Sequence, residues 1–221
     1  MKTALIIGAT GGIGRALSVN LQAQGVEVKG LSRSDDGFDL ADPEIAEHML
    51  SQVAGPFDLI IVASGALEIN GAEPEKSLRA VSARGMLDQF ALNAVGPALV
   101  LKQAHRLLPR DRNSVIAVLS ARVGSIEDNR LGGWVSYRAA KTAVNQIVHT
   151  TAIELARTHK QAVCVALHPG TVKTAFTQKY LGRHPAVEPE EAAANLLEVI
   201  DALTPSETGN FYDWAGKRVP W

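Results

Sequence analysis

Six short runs of aliphatic and β-branched residues recur along the chain with helix-like stretches between them, and this alternation limits the fold more than any single motif. The runs are "TALII" (3–7), "EVKGL" (27–31), "LIIVA" (59–63), "VIAVL" (115–119), "VCVAL" (163–167) and "NFYDW" (210–214). Several are apolar throughout rather than alternating, which suits strands covered on both faces of a parallel sheet. Among the intervening stretches, "GIGRALSVNLQAQ" stops before Gly25, where a C′ glycine fits. "DPEIAEHMLSQV" opens with Asp42 as N-cap and Pro43 at the first helical position. Residues 83–108 form a long stretch in which Gly96-Pro97 is expected to cause a bend. "PEEAAANLLEVIDAL" starts with proline and acids, as a helix N-terminus should. Strands alternating with helices imply right-handed βαβ units, so the expected fold is α/β. It is a doubly wound parallel sheet with helices on both faces, in one domain over residues 1–221. Between "GLSR" and "DPEIAEH" lies only "SDDGFDLA". A parallel crossover needs roughly a dozen residues. The sheet is therefore expected to be shortened after the second strand, with "FDL" at most a stub at its edge.

Two local patterns carry chemistry. "LIIGATGGIGRAL" puts Gly8, Gly12 and Gly14 between the first strand and the first helix. Glycine permits positive φ and close backbone approach, and a helix N-terminus offers unpaired N–H groups to a diphosphate. "YRAAK" puts Tyr137 and Lys141 four positions apart, on one face of a helix. A nearby ammonium favours the phenolate and can lower a tyrosine pKa by roughly 1–3 units. Such a tyrosine can exchange a proton with an alcohol oxygen near neutral pH.

These motifs, in this order, resemble the short-chain dehydrogenase/reductase family, whose glycine pattern is T-G-x-x-x-G-x-G and whose later helix carries Y-x-x-x-K. Asn93 in "ALNAVGP" matches the family's helix asparagine, and "HPGTVKT" (168–174) its P-G-x-V-x-T segment. "GSIEDNRLGGWVSYRAAKTAVNQ" is similar to the branch containing the C-factor signalling protein and sniffer-type carbonyl reductases. The chain departs from the pattern at Ile7, where the family has threonine, and in "VASG" (62–65), where it has N-N-A-G. It departs again at Ala121 in "LSARVG", where the family has its catalytic serine.

The resemblance implies a Rossmann-type oxidoreductase that interconverts a carbonyl and a secondary alcohol on a small apolar molecule. Tyr137 would be the general acid/base, Lys141 would bind the nicotinamide ribose and depress the Tyr137 pKa, and Asn93 would relay protons through water. The dinucleotide would run along Gly8, Thr10, Gly12, Ile13 and Gly14, past Ser32 and Arg33, with Asp39 and Leu40 at the adenine. Ala63, Ser64 and Gly65 would wall it, and Pro169, Gly170, Val172 and Thr174 would close over it. The guanidinium of Arg33 suits a 2′-phosphate, so NADP(H) is expected over NAD(H). Ser120 is the first candidate to replace the missing serine; Ser125, or no serine at all, are the alternatives, and Ser136 is the weakest. Trp134 either walls the substrate pocket or packs under a loop, and Phe176 and Tyr180 are candidate pocket residues. The rival reading is a C-factor-like signalling or sensor protein that binds dinucleotide with weak or incidental catalysis.

Composition narrows the partners. A formal net charge of −1 with no block of like charge recommends neither nucleic acid nor an anionic membrane. The apolar run at the N-terminus stops at Gly8, too short for a signal peptide. With the single Cys164 read as a small buried hydrophobe, a cytoplasmic location is expected. The six histidines show no ligand spacing, so no metal is expected, and His168 is expected to make a structural hydrogen bond. The helices at 83–108 and 134–158 carry more apolar residues than one buried face requires. They suggest a homodimer or homotetramer, with a monomer as the alternative.

Overall fold

The computed structural model describes residues 1–175, 177–183 and 185–221. The expected pocket residue Phe176 and the histidine at 184 lie outside them. The chain runs β1 (Thr3–Ile7), α1 (Gly12–Ala23), β2 (Glu27–Leu31), α2 (Arg33–Asp36), α3 (Pro43–Ser51), β3 (Leu59–Val62) and α4 (Ala83–Phe90). A π-helical turn (Ala91–Val95) leads to α5 (Gly96–Lys102), α6 (Ala104–Leu107), β4 (Ser114–Leu119) and α7 (Val135–Leu155). β5 (Ala162–His168), α8 (Pro189–Ala202) and β6 (Phe211–Asp213) complete it. The six strands form one parallel sheet in the order β2-β1-β3-β4-β5-β6.

Side-chain alternation along the strands divides the core. Leu5, Ile7, Ile60, Val62, Ile116, Val118 and Cys164 pack with residues of α3, α5, α6 and α7. Ala4, Ile6, Leu59, Ile61, Val115, Ala117 and Val165 pack with α1 and α8. Both faces are covered, which is why β3 and β4 are apolar at nearly every position. After β1 the chain turns to β2 on one side and then crosses to β3 on the other. The topological switch therefore falls at the C-terminal ends of β1 and β3, the crevice in which α/β sheets bind ligands.

One expectation needs correcting. "FDL" is not a strand, and β2 is the sheet edge. The chain instead winds the single turn α2, capped by Ser32, and the Phe38 N–H donates to Ser32 O at 3.0 Å. Phe38 and Leu40 are then buried in the core, so the apolar character that suggested a strand serves packing. The long helix continues through Gly96-Pro97. Its irregular winding lies just before them, and Pro97 sits in the first turn of α5, where a missing N–H is tolerated. A Cβ on Gly96 would lie 2.8 Å from both Leu40 Cβ and Leu40 O, so glycine is what lets the helix pass the loop holding Leu40.

Candidate active site

At the C-terminal end of β1, Gly8 has φ +86, and a Cβ there would lie 2.7 Å from Ser64 Oγ and 2.9 Å from Ser64 N. A Cβ on Gly14 would lie 2.1 Å from Gly8 O, so the turn closes only with glycine at both positions. A Cβ on Gly12 would meet Thr174 Cγ2 at 2.7 Å. The glycine turn, "VASG" and "HPGTVKT" therefore converge. The N-cap of α1 is Gly11, which makes no side-chain cap bond, so that helix end retains N–H groups for an anion. The glycine spacing and this uncapped end fit the diphosphate of a dinucleotide.

On the adenosine side, Ser34 Oγ donates to Thr10 Oγ1 at 3.0 Å, tying α2 to the glycine turn. Asp36 accepts from Ser32 N at 2.8 Å, and Asp35 N donates to Ser32 Oγ at 3.2 Å. The Asp36 carboxylate is thus turned onto the N-cap residue of its own short helix. Arg33 is exposed and makes no ion pair among the described residues. Asp39 Oδ1 accepts from Ala41 N at 2.9 Å, and Leu40 is buried beneath Gly96.

Tyr137 and Lys141 are both buried on α7, with Lys141 Nζ 5.8 Å from the centre of the Tyr137 ring. Lys141 Nζ donates to Leu119 O at 2.9 Å, at the end of β4. Asn93, fully buried in the π-helical turn, donates through Nδ2 to Ala66 O at 2.9 Å and to Gln89 Oε1 at 2.7 Å. Its Oδ1 accepts from Ala66 N at 3.2 Å. A Cβ on Gly65 would lie 2.9 Å from Asn93 Oδ1 and 3.4 Å from Lys141 Nζ, so both groups border the space that the missing side chain leaves. Burial pushes Lys141 down to about 8 and the Tyr137 phenol above its ordinary value. This corrects the expected depression of Tyr137: in the protein alone, desolvation penalises the charged forms of both groups and raises the phenol.

All three candidate serines have partners. Ser120 Oγ donates to Asn145 Oδ1 at 2.6 Å, and Ser125 Oγ accepts from Asp128 N at 3.1 Å. Ser136 Oγ donates to the Glu75 carboxylate, which also accepts from Ser136 N at 3.2 Å and so caps α7 from outside the helix. Ala121 stands in extended conformation just after β4.

Sequence reasoning missed Gln89, Asn145 and Glu75. The first two could have been found, because they stand four positions from Asn93 and Lys141 on the same helices. Glu75 comes from a loop and left no periodic signal.

Around Tyr137, Trp134 packs edge-on with its ring centre 6.4 Å from that of Tyr137 and 5.5 Å from that of Tyr180. Tyr180 OH donates to Glu68 at 2.9 Å, and Lys179 pairs with Glu68 at 2.7 Å and Glu73 at 3.5 Å. Ile69, Pro74 and Gln89 join Tyr137 in lining a small cleft. Trp134 thus lies between Tyr137 and Tyr180, in contact with both rings. At His168 the expected structural hydrogen bond is not seen at Nδ1, which is buried without a partner among the described residues. Burial, with Arg122 nearby, holds this imidazole down to about 4. Among the described residues no cluster of metal-ligating side chains occurs, and no helix is long and apolar enough to cross a membrane.

Residues 37–183 match the family profile described as short chain dehydrogenase, a span that holds Asn93, Tyr137 and Lys141 and follows the glycine turn. The chain is 29% identical to the 1-hydroxy-2-glutathionyl-2-methyl-3-butene dehydrogenase of Rhodococcus sp. (strain AD45), with all of both chains covered. It is 32% identical to the C-signal of Myxococcus xanthus over 76% of this chain and 94% of that one. Among solved structures, an NADPH-bound carbonyl reductase from chicken fatty liver superposes with a TM-score of 0.81 at 23% identity, over 100% of this chain and 99% of that one. The carbonyl reductase Sniffer of D. melanogaster superposes with a TM-score of 0.78 at 19% identity, with both chains fully covered. At these identities the structural likeness speaks to the fold.

Proposed function

The chain belongs to the short-chain dehydrogenase family of NAD(P)-dependent oxidoreductases, and on that premise we propose that it reduces a carbonyl on a small, apolar molecule, or oxidises the matching secondary alcohol, with NADP(H). The observation that carries this reading is the pair Tyr137 and Lys141, buried on one face of α7 beside Gly65 and Asn93. A bound nicotinamide supplies the hydride. As the carbonyl carbon gains that hydride, its oxygen gains negative charge, and the Tyr137 hydroxyl donates its proton to it. The Lys141 ammonium, whose pKa burial brings down to about 8, stabilises the phenolate left behind and passes a proton back. The space beside Gly65, bordered by Asn93 Oδ1 and Lys141 Nζ, is where a water would carry that proton. Arg33 receives the 2′-phosphate, which favours NADP(H). The one domain over residues 1–221 and a cytoplasmic location belong to the same reading.

A second reading rests on Ala121 and on Ser120, whose hydroxyl proton goes to Asn145. Without a second donor to the substrate oxygen, catalysis falls on the order of 10²–10³-fold. That would suit a dinucleotide-binding signalling protein, as the likeness to C-signal allows. A panel of aldehydes and ketones with NADPH, followed at the nicotinamide absorbance, separates the two. Turnover that Tyr137→Phe abolishes while NADPH affinity persists supports the enzyme. Tight NADPH binding with no turnover of any panel member supports the second reading.

A further inference from the structure

We propose that Arg138, inside "YRAAK", is a positioning residue that holds Trp134 against Tyr137; the inference rests on the oxidoreductase reading of the Tyr137 cleft. Its guanidinium collects three backbone carbonyls. Nε donates to Gly133 O at 2.9 Å, Nη2 to Gly132 O at 3.1 Å and Nη1 to Val123 O at 3.1 Å. Two of these acceptors belong to an unusual run of backbone. Gly132, Gly133 and Trp134 all have positive φ, at 64, 68 and 50. Glycine takes this conformation freely, whereas a bulky L-residue takes it at a cost of roughly 1–2 kcal/mol and needs its surroundings to impose it. Trp134 is the residue that needs holding. Its N–H donates to Glu75 O at 2.6 Å, its carbonyl accepts from Arg138 N at 2.8 Å, and the guanidinium pins the two carbonyls just before it.

The left-handed turn aims the indole across the start of α7, at Tyr137 and Tyr180. The third arm of Arg138 reaches Val123, in the turn Arg122–Gly124 that follows β4. A Cβ on Gly124 would lie 2.8 Å from Lys141 Cβ, so this turn already presses on the helix face that carries the lysine. One planar group therefore couples the turn after β4 to the turn before α7. Lysine, with a single ammonium on a flexible stem, cannot satisfy three carbonyls in one plane. Arg138 acts through Trp134, so its loss loosens the indole packed on Tyr137 and leaves Tyr137 in place.

The test uses 4-nitrobenzaldehyde as the carbonyl probe with NADPH, on wild type, Arg138→Lys, Trp134→Ala and the double variant. Arg138→Lys is expected to raise KM for the probe at least about fivefold, with kcat within about twofold and NADPH affinity unchanged. In the Trp134→Ala background it should add nothing further, because both changes act through one side chain. KM effects that multiply, or a loss confined to kcat or NADPH affinity, overturn the assignment. Near-UV circular dichroism supplies a readout independent of turnover. The aromatic band lost in Trp134→Ala should also be lost in Arg138→Lys, and its retention overturns the proposal. If wild type does not reduce the probe, the carbonyl-reducing reading fails on that probe and the near-UV band alone decides the role of Arg138. Arg138→Gln, which keeps a planar donor for one carbonyl, is the second variant should Arg138→Lys not fold.

Discussion

Ser120 donates its hydroxyl proton to Asn145 Oδ1 at 2.6 Å, one turn of α7 beyond Lys141 and two beyond Tyr137. Two helical turns correspond to a rise of about 11 Å. The hydroxyl nearest in sequence to the family's serine position is thus occupied with anchoring β4 to α7. Ser120→Ala is expected to cost about 1 kcal/mol of stability, or roughly 2–4 °C in Tm, with kcat changed less than about threefold. Ala121→Ser should raise kcat, because it restores a hydroxyl at the family's own position. A tenfold loss of kcat in Ser120→Ala at unchanged Tm would instead make Ser120 the substrate's second donor.

Stability should depend on pH through the two buried groups of α7. Burial lowers Lys141 to about 8 against 10.5 for the free side chain. Between those pH values the unfolded chain binds more protons than the folded one, so stability rises with pH across that window. The burial penalty is fully present below it. Tyr137 is shifted upward from 10.0, so its contribution is intact below that pH and is lost as pH climbs further. Lys141→Met should flatten the rise, and Tyr137→Phe should soften the loss at higher pH. Thermal melts of the three proteins from neutral to alkaline pH check this; a Lys141→Met curve parallel to wild type would refute it.

NADPH should bind more tightly than NADH, and Arg33→Ala should narrow the gap, each tenfold of preference corresponding to about 1.4 kcal/mol. Asp36 is committed to the N-cap of α2, and Arg33 makes no ion pair among the described residues, which leaves the guanidinium for a phosphate. Dissociation constants for both nucleotides with both proteins decide the matter. An unchanged ratio removes Arg33 from the phosphate site.

The protein is expected to assemble as a homodimer or homotetramer. Leu87 on α4 is 67% exposed and Ile153 on α7 is 53% exposed, large apolar side chains on the two helices expected to pair. Light scattering at micromolar concentration should return a multiple of 23.5 kDa, and the monomer mass would sink the idea.

Much of the scaffold was legible because it depends on local pattern. β1 and β2 fall on the apolar runs that suggested them, and Asp42 caps α3 through bonds to Glu44 N and Ile45 N. Gly8 and Gly14 were readable because only glycine survives the contacts their turn imposes. What escaped depends on residues brought together from afar. Glu75 and Ser136 are separated by 61 positions, and no periodicity announces such a cap. The left-handed Trp134 was equally hidden, since its conformation is imposed by Glu75 and Arg138 rather than favoured by its own side chain. The direction of the Tyr137 shift was misread because charge proximity shows in a sequence and depth of burial does not.

The π-helical turn at Ala91–Val95 sets a phase between two helices. Such a turn holds an extra residue relative to α winding, so α4 and α5 present their faces about 100° out of step with a continuous helix. Removing one residue from it would restore regular winding and rotate one segment against the other. Either Asn93 would leave Ala66, or Val100 and Leu101 would leave the sheet. A helix of this kind tolerates exchange of its letters more readily than a change in their number.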